Sequence, residues 1–211
     1  MDIKILYQDK DIAVCVKPPE TVSQSPGMPE RLSELLGGEF FCVHRLDKGV
    51  GGVMVYARSS TAAAKLSQMT AERKLEKLYM ALVPDVLGCD EGVMEDLLFR
   101  DREKNKSFVV KRMRKGVKDA KLEYRRIAAV DGIALLRIKL HTGRSHQIRC
   151  QLSSRGAPIL GDSKYGSAIK CGGIALWSCS LGFQHPTSGK RMEFSCAPVA
   201  EMWEKFEQYI Q

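Results

Sequence analysis

The sequence lacks a long apolar run. None of its apolar stretches approaches the roughly 18 residues that a membrane-spanning helix needs. The N-terminal stretch, MDIKILYQDKDIAVCVKPPE, carries acidic and lysine side chains early and has no apolar segment typical of a secretory signal. We therefore expect a protein of the cytoplasm that does not associate with membranes.

The spacings typical of metal sites are also missing. Seven cysteines are scattered along the chain without a Cys-x-x-Cys pair, and no His-x-x-His or Glu-x-x-His spacing occurs. Because zinc sites usually need such spacings, we predict no metal site. Most of the cysteines lie beside apolar residues, where a free thiol behaves as a small hydrophobic side chain, so we expect them to be reduced.

The composition is that of an ordinary globular protein. The chain has 211 residues, of which 44% are hydrophobic and 27% charged. It is long enough to bury a substantial core, and it contains no internal repeat and no low-complexity linker. We expect one domain over residues 1–211.

The charge is unbalanced, with a formal net value of +8. Many of the cations lie in one stretch, Arg100 to Arg126, where Phe108 and Tyr124 are interleaved with them. Such a segment could lie along a phosphate backbone. A solvated hairpin whose outward positions happen to be lysine and arginine would have the same composition, and the sequence alone does not choose between the two.

The residue pattern predicts more strands than helices. Apolar-rich stretches predict strands at Ile3–Tyr7, Ile12–Val16, Phe41–Val43, Gly52–Ala57, Leu75–Val83, Ser107–Val110, Ala120–Ala129, Ile133–Leu140 and Ile174–Phe183. Helix formers and end signals predict helices at Pro29–Leu36, Ser59–Ala71, His146–Ser154 and Pro198–Tyr209. Since short turns connect most strands, we predict an α+β fold with a mixed, largely antiparallel central sheet and flanking helices.

One short segment, FCVHRLDKGVGG, combines charged residues with a glycine-rich end. Arg45 would share one side of an extended strand with Asp47. A carboxylate flanked by cations stays ionised, which suits a nucleophile or an electrostatic stabiliser. The glycines after it allow a substrate or another chain segment to approach closely. A lone aspartate in a loop, however, is more often a cap or a turn residue.

A second segment, LHTGRSHQIRCQL, contains a turn followed by a predicted helix. Arg144 and His146 lie near the helix start, where free N–H groups can bind phosphate or carboxylate. Arg149 lies about one turn further along the helix. An Arg149 that simply pairs with a buried acid is an equally good interpretation of this segment.

Two further segments are less specific. In KLYMALV, a strand would place Lys77 and Tyr79 on one face, although core or edge packing is the usual role of an isolated tyrosine. In GAPILGDSKYG, glycines supply positive φ angles and Asp162 can act as a cap. We interpret this last loop as mainly structural.

Taken together, these segments resemble the RluA-type pseudouridine synthase family. Four motifs follow one another in that family's order: HRLD at His44–Asp47, KxYxALV at Lys77–Val83, TGRSHQIR at Thr142–Arg149, and G-x-PI-x-GD-x-x-YG at Gly156–Gly166. The resemblance covers nearly the whole chain. It implies a pseudouridine synthase fold and an enzyme that isomerises uridine in RNA, rRNA or tRNA, without cofactor or metal; monomer is the expected state.

The resemblance also implies roles for individual residues. Asp47 would be the nucleophile, attacking either the ribose C1′ or the uracil C6, and Arg149 would form the ion pair that orients it. Tyr79 would stack on the target base and help to remove the C5 proton, and Arg45 would enter the RNA stack as the uridine flips out. The resemblance also implies substrate-binding roles for four further residues: His44, Arg144, His146 and Leu152. Among these, Leu152 would be an apolar wall of the pocket.

The sequence departs from the family pattern in two places. The family commonly reads HRLD-x-x-TSGL, whereas Val50 and Gly51 here replace the threonine and serine. A catalytically degenerate RNA-binding protein on the same fold is therefore the alternative. Many relatives also carry an N-terminal S4 RNA-binding domain, whereas this chain begins with the catalytic-domain strand ILYQDKDIAVCVKPP.

A glycoside hydrolase would need a second carboxylate about 5–10 Å away, and the matched segments supply cations instead.

Overall fold

The computed structural model describes residues 3–210. Eleven strands lie at Lys4–Gln8 (β1), Ile12–Lys17 (β2), Phe41–Cys42 (β3), Gly51–Ala57 (β4), Glu76–Pro84 (β5), Glu91–Asp101 (β6), Lys106–Val110 (β7), Val117–Val130 (β8), Ile133–Leu140 (β9), Leu176–Gln184 (β10) and Arg191–Ser195 (β11). Three α-helices lie at Met28–Leu36 (α1), Ser60–Ala71 (α2) and Gln147–Ser153 (α3). Two segments, Ser163–Tyr165 and Glu201–Tyr209, are 3₁₀ helices.

The described residues form two compact units. The first comprises residues 3–77 and Trp177–Pro198, and the second comprises Leu78–Leu176 and residues 199–210. The expectation of a single domain over the whole chain stays a prediction.

The first unit contains a mixed sheet. β2 pairs antiparallel with β1 and with β4, β3 pairs antiparallel with β4, and β10 pairs parallel with β4 and antiparallel with β11. Every residue of β4 is buried, as expected for a central strand covered on both faces. Its Val53 and Val55 share a core cluster with Ile12, Leu66 and Phe183. Ser59 caps α2, since its Oγ accepts the backbone N–H of Ala62 at 3.2 Å.

The second unit is antiparallel throughout. Within it, β9 pairs with β5 and β8, and β6 pairs with β8 and β7, so that β7 is an edge strand. Leu98 of β6 and Ala120 of β8 pack in one buried cluster with Cys150 of α3 and with Tyr165. The predicted α+β class with a mixed, largely antiparallel sheet is therefore confirmed.

Most predicted elements are present, but β6 and β11 were not predicted. The buried face of β6 carries Met94 and Leu98, four residues apart, with the polar Asp96 between them. Asp96 accepts hydrogen bonds from Gln151 Nε2 at 2.7 Å and from Arg155 Nη1 at 2.9 Å, which satisfy its carboxylate there. The carboxylate interrupts the alternation of apolar residues by which a strand is recognised in a sequence.

The predicted C-terminal α-helix is instead a 3₁₀ helix over Glu201–Tyr209. Its buried residues, Trp203 and Phe206, are three positions apart. With three residues per turn, the 3₁₀ helix places both side chains on one face, directly above one another.

No helix in residues 3–210 is long and apolar enough to cross a membrane. All seven cysteines are free thiols.

Candidate active site

Asp47 lies in the loop that connects β3 to β4. Its carbonyl accepts the N–H of Val50 at 3.0 Å, which closes a β-turn immediately before β4. The apolar loop residues Val43, Leu46 and Val50 are buried, whereas Asp47 is half-buried and Arg45 is exposed. The alternation of buried apolar and accessible charged residues anchors the loop and leaves its charges at the surface. Arg45 and Asp47 therefore lie in a loop and not in the extended strand considered from the sequence.

A buried lysine holds the turn that begins at Asp47. The Lys17 ammonium, at the end of β2, donates to the carbonyls of Pro18 at 2.8 Å, Thr21 at 2.7 Å and Lys48 at 3.2 Å. Lys48 follows Asp47 directly, so Lys17 ties the turn to the rest of the unit. Sequence reasoning missed this residue; the signal was a lysine at the end of an apolar strand and before two prolines.

The charge of Lys17 is influenced by its surroundings. Burial lowers the pKa of its ammonium to about 8, and the negative charges of Glu20 and Asp47 oppose part of this lowering. At neutral pH the group is therefore mostly protonated, with three N–H bonds for three carbonyl acceptors.

His44 has a structural contact inside the same loop. Its ring is buried, and Nε2 accepts the backbone N–H of Val55 in β4 at 3.2 Å. Burial, and to a lesser extent the charge of Lys77, lowers the pKa of His44 well below its usual value. The imidazole is therefore neutral, with its proton on Nδ1, which has no hydrogen-bond partner within residues 3–210. A substrate-binding role for His44 stays a prediction.

Packing requires glycine at the first two positions of β4. A Cβ atom on Gly51 would lie 2.3 Å from Cζ3 of Trp177, whose Nε1 donates to the carbonyl of Cys196 at 2.8 Å. Gly52 has φ near +124°, and a Cβ there would lie 2.3 Å from the carbonyl oxygen of Ser178. The close approach of β10 to β4 thus excludes a larger side chain at both positions.

Arg149, in α3, forms a buried ion pair. Its Nε donates to Asp162 Oδ2 at 2.6 Å and its Nη2 donates to Asp162 Oδ1 at 2.9 Å. The guanidinium also lies over the ring of Tyr165, 5.0 Å from its centre. Pairing with a buried acid, one of the two interpretations of this arginine, is thus present. The ion pair with Asp47 that the resemblance implies stays a prediction. Asp162 was considered only as a cap in the sequence.

Tyr79 and Leu152 are both buried within the second unit. Tyr79 lies in β5 opposite Ile138 of β9 and is 6% exposed. Leu152 lies in α3 and is 0% exposed. The base-stacking role of Tyr79 and the pocket-wall role of Leu152 stay predictions.

His146 and Arg144 precede α3 and are held by neighbouring side chains. His146 has a left-handed backbone, with φ 52° and ψ 27°, and its Nδ1 lies 3.0 Å from the hydroxyl oxygen of Tyr165. Arg144 Nε donates to the carbonyl of Asp119 at 2.7 Å, and its Nη2 donates to Asp119 Oδ1 at 3.1 Å. These contacts fix the loop at the start of α3; RNA contacts by either residue stay predictions.

One cluster in the first unit has the composition of a metal site. One ligand atom each from Asp9, Asp11 and His185 lie within 4.8 Å of one another. His185 Nδ1, however, lies 3.2 Å and 3.1 Å from the N–H nitrogens of Thr187 and Ser188, and Nε2 donates to Asp9 Oδ2 at 2.9 Å. Because both ring nitrogens are engaged, we assign the cluster a structural role at the β1–β2 turn.

Comparison with known proteins identifies the family. The family profile of RNA pseudouridylate synthase matches residues 11–154. An uncharacterized RNA pseudouridine synthase of Aquifex aeolicus is 38% identical over 91% of this chain and 68% of its own length. The dual-specificity RNA pseudouridine synthase RluA of Yersinia pestis is 33% identical over 91% of this chain and 97% of its own. The chain belongs to the RNA pseudouridylate synthase family.

Solved structures agree on the fold. The structure of human RNA pseudouridylate synthase domain containing 4 superposes with a TM-score of 0.78 at 22% identity and covers 95% of this chain and 90% of its own. Human RNA pseudouridylate synthase domain containing 1 gives 0.80 at 21% identity, with 93% and 84% covered. The predicted family, the fold and the enzyme class, an RNA pseudouridine synthase, are confirmed.

Proposed function

We propose that this enzyme converts uridine to pseudouridine in structured rRNA or tRNA, with Asp47 as its nucleophile. The observation that carries the assignment is the position of Asp47. It belongs to the HRLD motif within the segment that the family profile matches, and it begins a β-turn anchored by buried Leu46 and Val50. A carboxylate on a supported turn is positioned by its surroundings, as a nucleophile must be.

The proposed reaction is an isomerisation, so the product has the atoms of the substrate. The Asp47 carboxylate attacks the ribose C1′ or the uracil C6, and the bond between C1′ and N1 breaks. The uracil turns while it is held, C5 bonds to C1′, and the bond between Asp47 and the substrate breaks so that the carboxylate is restored. The C5 proton leaves while N1 gains one. We propose that Tyr79 stacks on the base and assists removal of the C5 proton, and that Arg149 is the catalytic cation.

RNA binding is proposed for five further residues. The exposed guanidinium of Arg45 is available to enter the base stack when the uridine flips out, a step that makes its reacting atoms accessible. We propose that buried His44 and Leu152 act by shaping the pocket, whereas Arg144 and His146 contact RNA. We also propose a monomer that acts in the cytoplasm and needs no cofactor.

The alternative is an RNA-binding protein that has lost catalysis. Val50 and Gly51 favour it, because the hydroxyl groups of the family's threonine and serine are absent next to Asp47. Packing offers another reason for the glycine, since the ring of Trp177 occupies the volume of a side chain at position 51. This supports the active enzyme over the alternative without requiring the hydroxyl groups.

The two functions differ in product. Unmodified transcripts of rRNA and tRNA from the source organism are incubated with the purified protein, and pseudouridine is mapped by carbodiimide labelling and primer extension. We expect at least one uridine to be modified, and none with heat-denatured protein. Retention of RNA on the protein with no modified site in any transcript would favour the degenerate protein. Mapping RNA from cells with and without the gene then identifies the physiological uridine.

A further inference from the structure

The net charge of the chain is concentrated in one segment. Residues 100–126 hold 12 of the 33 lysines and arginines but only four of the 25 aspartates and glutamates. The segment therefore carries a net charge of +8, the same as the whole chain, and the remaining residues carry 21 charges of each sign. All of the excess positive charge lies in the second unit, on β7 and the adjoining parts of β6 and β8.

Few of these cations are neutralised by neighbouring acids. Arg126 pairs with Asp85 and Asp90, and Lys121 pairs with Glu95 at 2.7 Å. In contrast, seven exposed cations of the segment form no ion pair and no side-chain hydrogen bond within residues 3–210: Arg102, Lys104, Lys111, Arg112, Lys115, Lys118 and Arg125. Six of the seven belong to residues 100–118, which we call the basic hairpin.

The basic hairpin presents its cations at both ends of one edge strand. Residues 102–105 connect β6 to β7, and residues 111–116 connect β7 to β8. β7 has five residues, so the two connections lie about 15 Å apart at roughly 3.4 Å per residue. A nucleic-acid strand has a phosphate for every ~3.4 Å of duplex axis, so about four phosphates fit over this length.

Two aromatic rings lie between the two groups of cations. Phe99 of β6 is directly opposite Phe108 of β7, whereas Leu98, its neighbour in β6, is buried with Cys150 of α3. Since successive strand residues point to opposite faces, Phe99 and Phe108 lie on the face away from α3. Phe108 is 36% exposed. Two cations accompany the rings: Arg114 lies 4.9 Å from the centre of Phe99, and Lys106 lies 5.7 Å from the centre of Phe108.

Aromatic rings between unpaired cations are what a single RNA strand needs, because its phosphates bind cations and its bases stack on rings. We propose that the basic hairpin is a second RNA-contact surface, separate from the Asp47 loop. It binds phosphates of the RNA flanking the target uridine and accepts one unstacked base on Phe108. The proposal rests on the proposed function, because it takes the substrate to be RNA, and it assigns the hairpin to affinity and not to chemistry.

The test compares two variants that lose the same charge. The hairpin variant carries Arg102→Gln, Lys104→Gln, Arg112→Gln and Lys115→Gln. The control variant carries Lys10→Gln, Lys65→Gln, Lys170→Gln and Lys190→Gln, four exposed lysines outside the segment. A third variant carries Phe108→Ala. The dissociation constant for a fluorescein-labelled, uridine-containing stem-loop transcript is measured by anisotropy between 50 and 300 mM NaCl, and far-UV circular dichroism confirms folding.

We expect the hairpin variant to bind the transcript at least about tenfold more weakly, with a salt slope reduced by about three, since each lost phosphate contact contributes roughly 0.7 for a single strand. Phe108→Ala should weaken binding about five- to hundredfold with an unchanged slope, because stacking is not ionic. With substrate RNA, the hairpin variant should have a raised KM and an unchanged kcat.

Equal losses in the hairpin and control variants would overturn the proposal, because the effect would then come from net charge alone. Unchanged binding to protein-free RNA, with activity lost only in cell extract, would also overturn it and indicate an acidic protein partner. A wild-type protein that binds RNA through the hairpin but forms no pseudouridine would reject the proposed function and leave the hairpin assignment standing.

Discussion

The indole ring of Trp177 fills the space that a side chain on Gly51 would need: a Cβ atom at position 51 would lie 2.3 Å from Cζ3 of the ring. The ring is held by its Nε1 hydrogen bond to the carbonyl of Cys196 at 2.8 Å, so it has little freedom to move away. Where the family pattern has a serine, this chain therefore has an aromatic ring from a neighbouring strand against bare backbone. Packing against Trp177 thus accounts for the glycine at position 51, which is compatible with an active Asp47.

This packing predicts that Gly51→Ser destabilises the protein. Overpacking a filled site costs about 1–3 kcal/mol, and the loss should appear in the free energy of unfolding measured in urea. Adding Trp177→Ala to Gly51→Ser should cost less than the two single changes added together, since the clash is then absent. Gly143→Ser is the control, because a Cβ there meets nothing within 4 Å. If the effects of Gly51→Ser and Trp177→Ala on the free energy of unfolding are additive, the two side chains do not compete for the same space.

The buried ion pair of Arg149 and Asp162 predicts that one substitution strongly lowers the stability of the fold. Asp162→Asn removes the carboxylate charge that the buried Arg149 guanidinium contacts through Nε and Nη2, which should lower the free energy of unfolding by about 3–5 kcal/mol. Asp119→Asn removes the carboxylate that pairs with Arg144. Because the Asp119 side chain is 64% exposed, this change should lower the free energy of unfolding by less than about 1 kcal/mol. Urea unfolding of both variants makes the comparison, and a similar cost for the two would show that burial of the first pair does not matter.

Lys17 predicts a pH dependence of activity. Burial lowers the pKa of the ammonium to about 8, so at higher pH the folded protein has an amine with two N–H bonds for three carbonyls. The turn that carries Asp47 then loses a contact, and kcat should fall above about pH 8. Stability changes in the opposite direction: between about pH 8 and 10.5 the unfolded chain keeps the proton that the folded protein has released, so the contribution of this group to the free energy of unfolding rises with pH.

Two variants separate Lys17 from its neighbours in this experiment. Lys17→Met should lower kcat at pH 7 and abolish the step near pH 8. Lys77→Met removes a half-buried lysine whose pKa is also lowered to about 8 by desolvation, and it should leave the step in place. If the step disappears with Lys77→Met and persists with Lys17→Met, the assignment to Lys17 is wrong.

The sequence predicted much of the fold because periodicity and end signals are local. Helix α2 and strand β9 were predicted to within a residue, since Ser59 caps the first and alternating apolar residues mark the second. Strand β6 was missed because Asp96 lies on its buried face, where Gln151 of α3 and Arg155 donate hydrogen bonds to its carboxylate. No local pattern contains a partner from 55 positions further along the chain.

The residues of the candidate site differ in the same way: some can be recognised from the local sequence and others cannot. Asp47 and Arg149 were predicted as site residues because they belong to motifs, whereas Lys17 was missed and Asp162 was interpreted as a cap. Their importance depends on what the folded chain places beside them: three carbonyls around the ammonium of Lys17, and the guanidinium of Arg149 against Asp162. Burial and pairing of this kind arise only in three dimensions.

The most direct test of the account is the effect of Asp47→Asn on pseudouridine formation. The substitution keeps the size and the hydrogen-bonding oxygen of the side chain but removes its nucleophilic charge. With an RNA that the wild-type protein modifies, we expect the variant to form no pseudouridine above the level without enzyme, while RNA binding and the circular dichroism spectrum stay unchanged. Pseudouridine formation at the wild-type rate by the Asp47→Asn protein would contradict it.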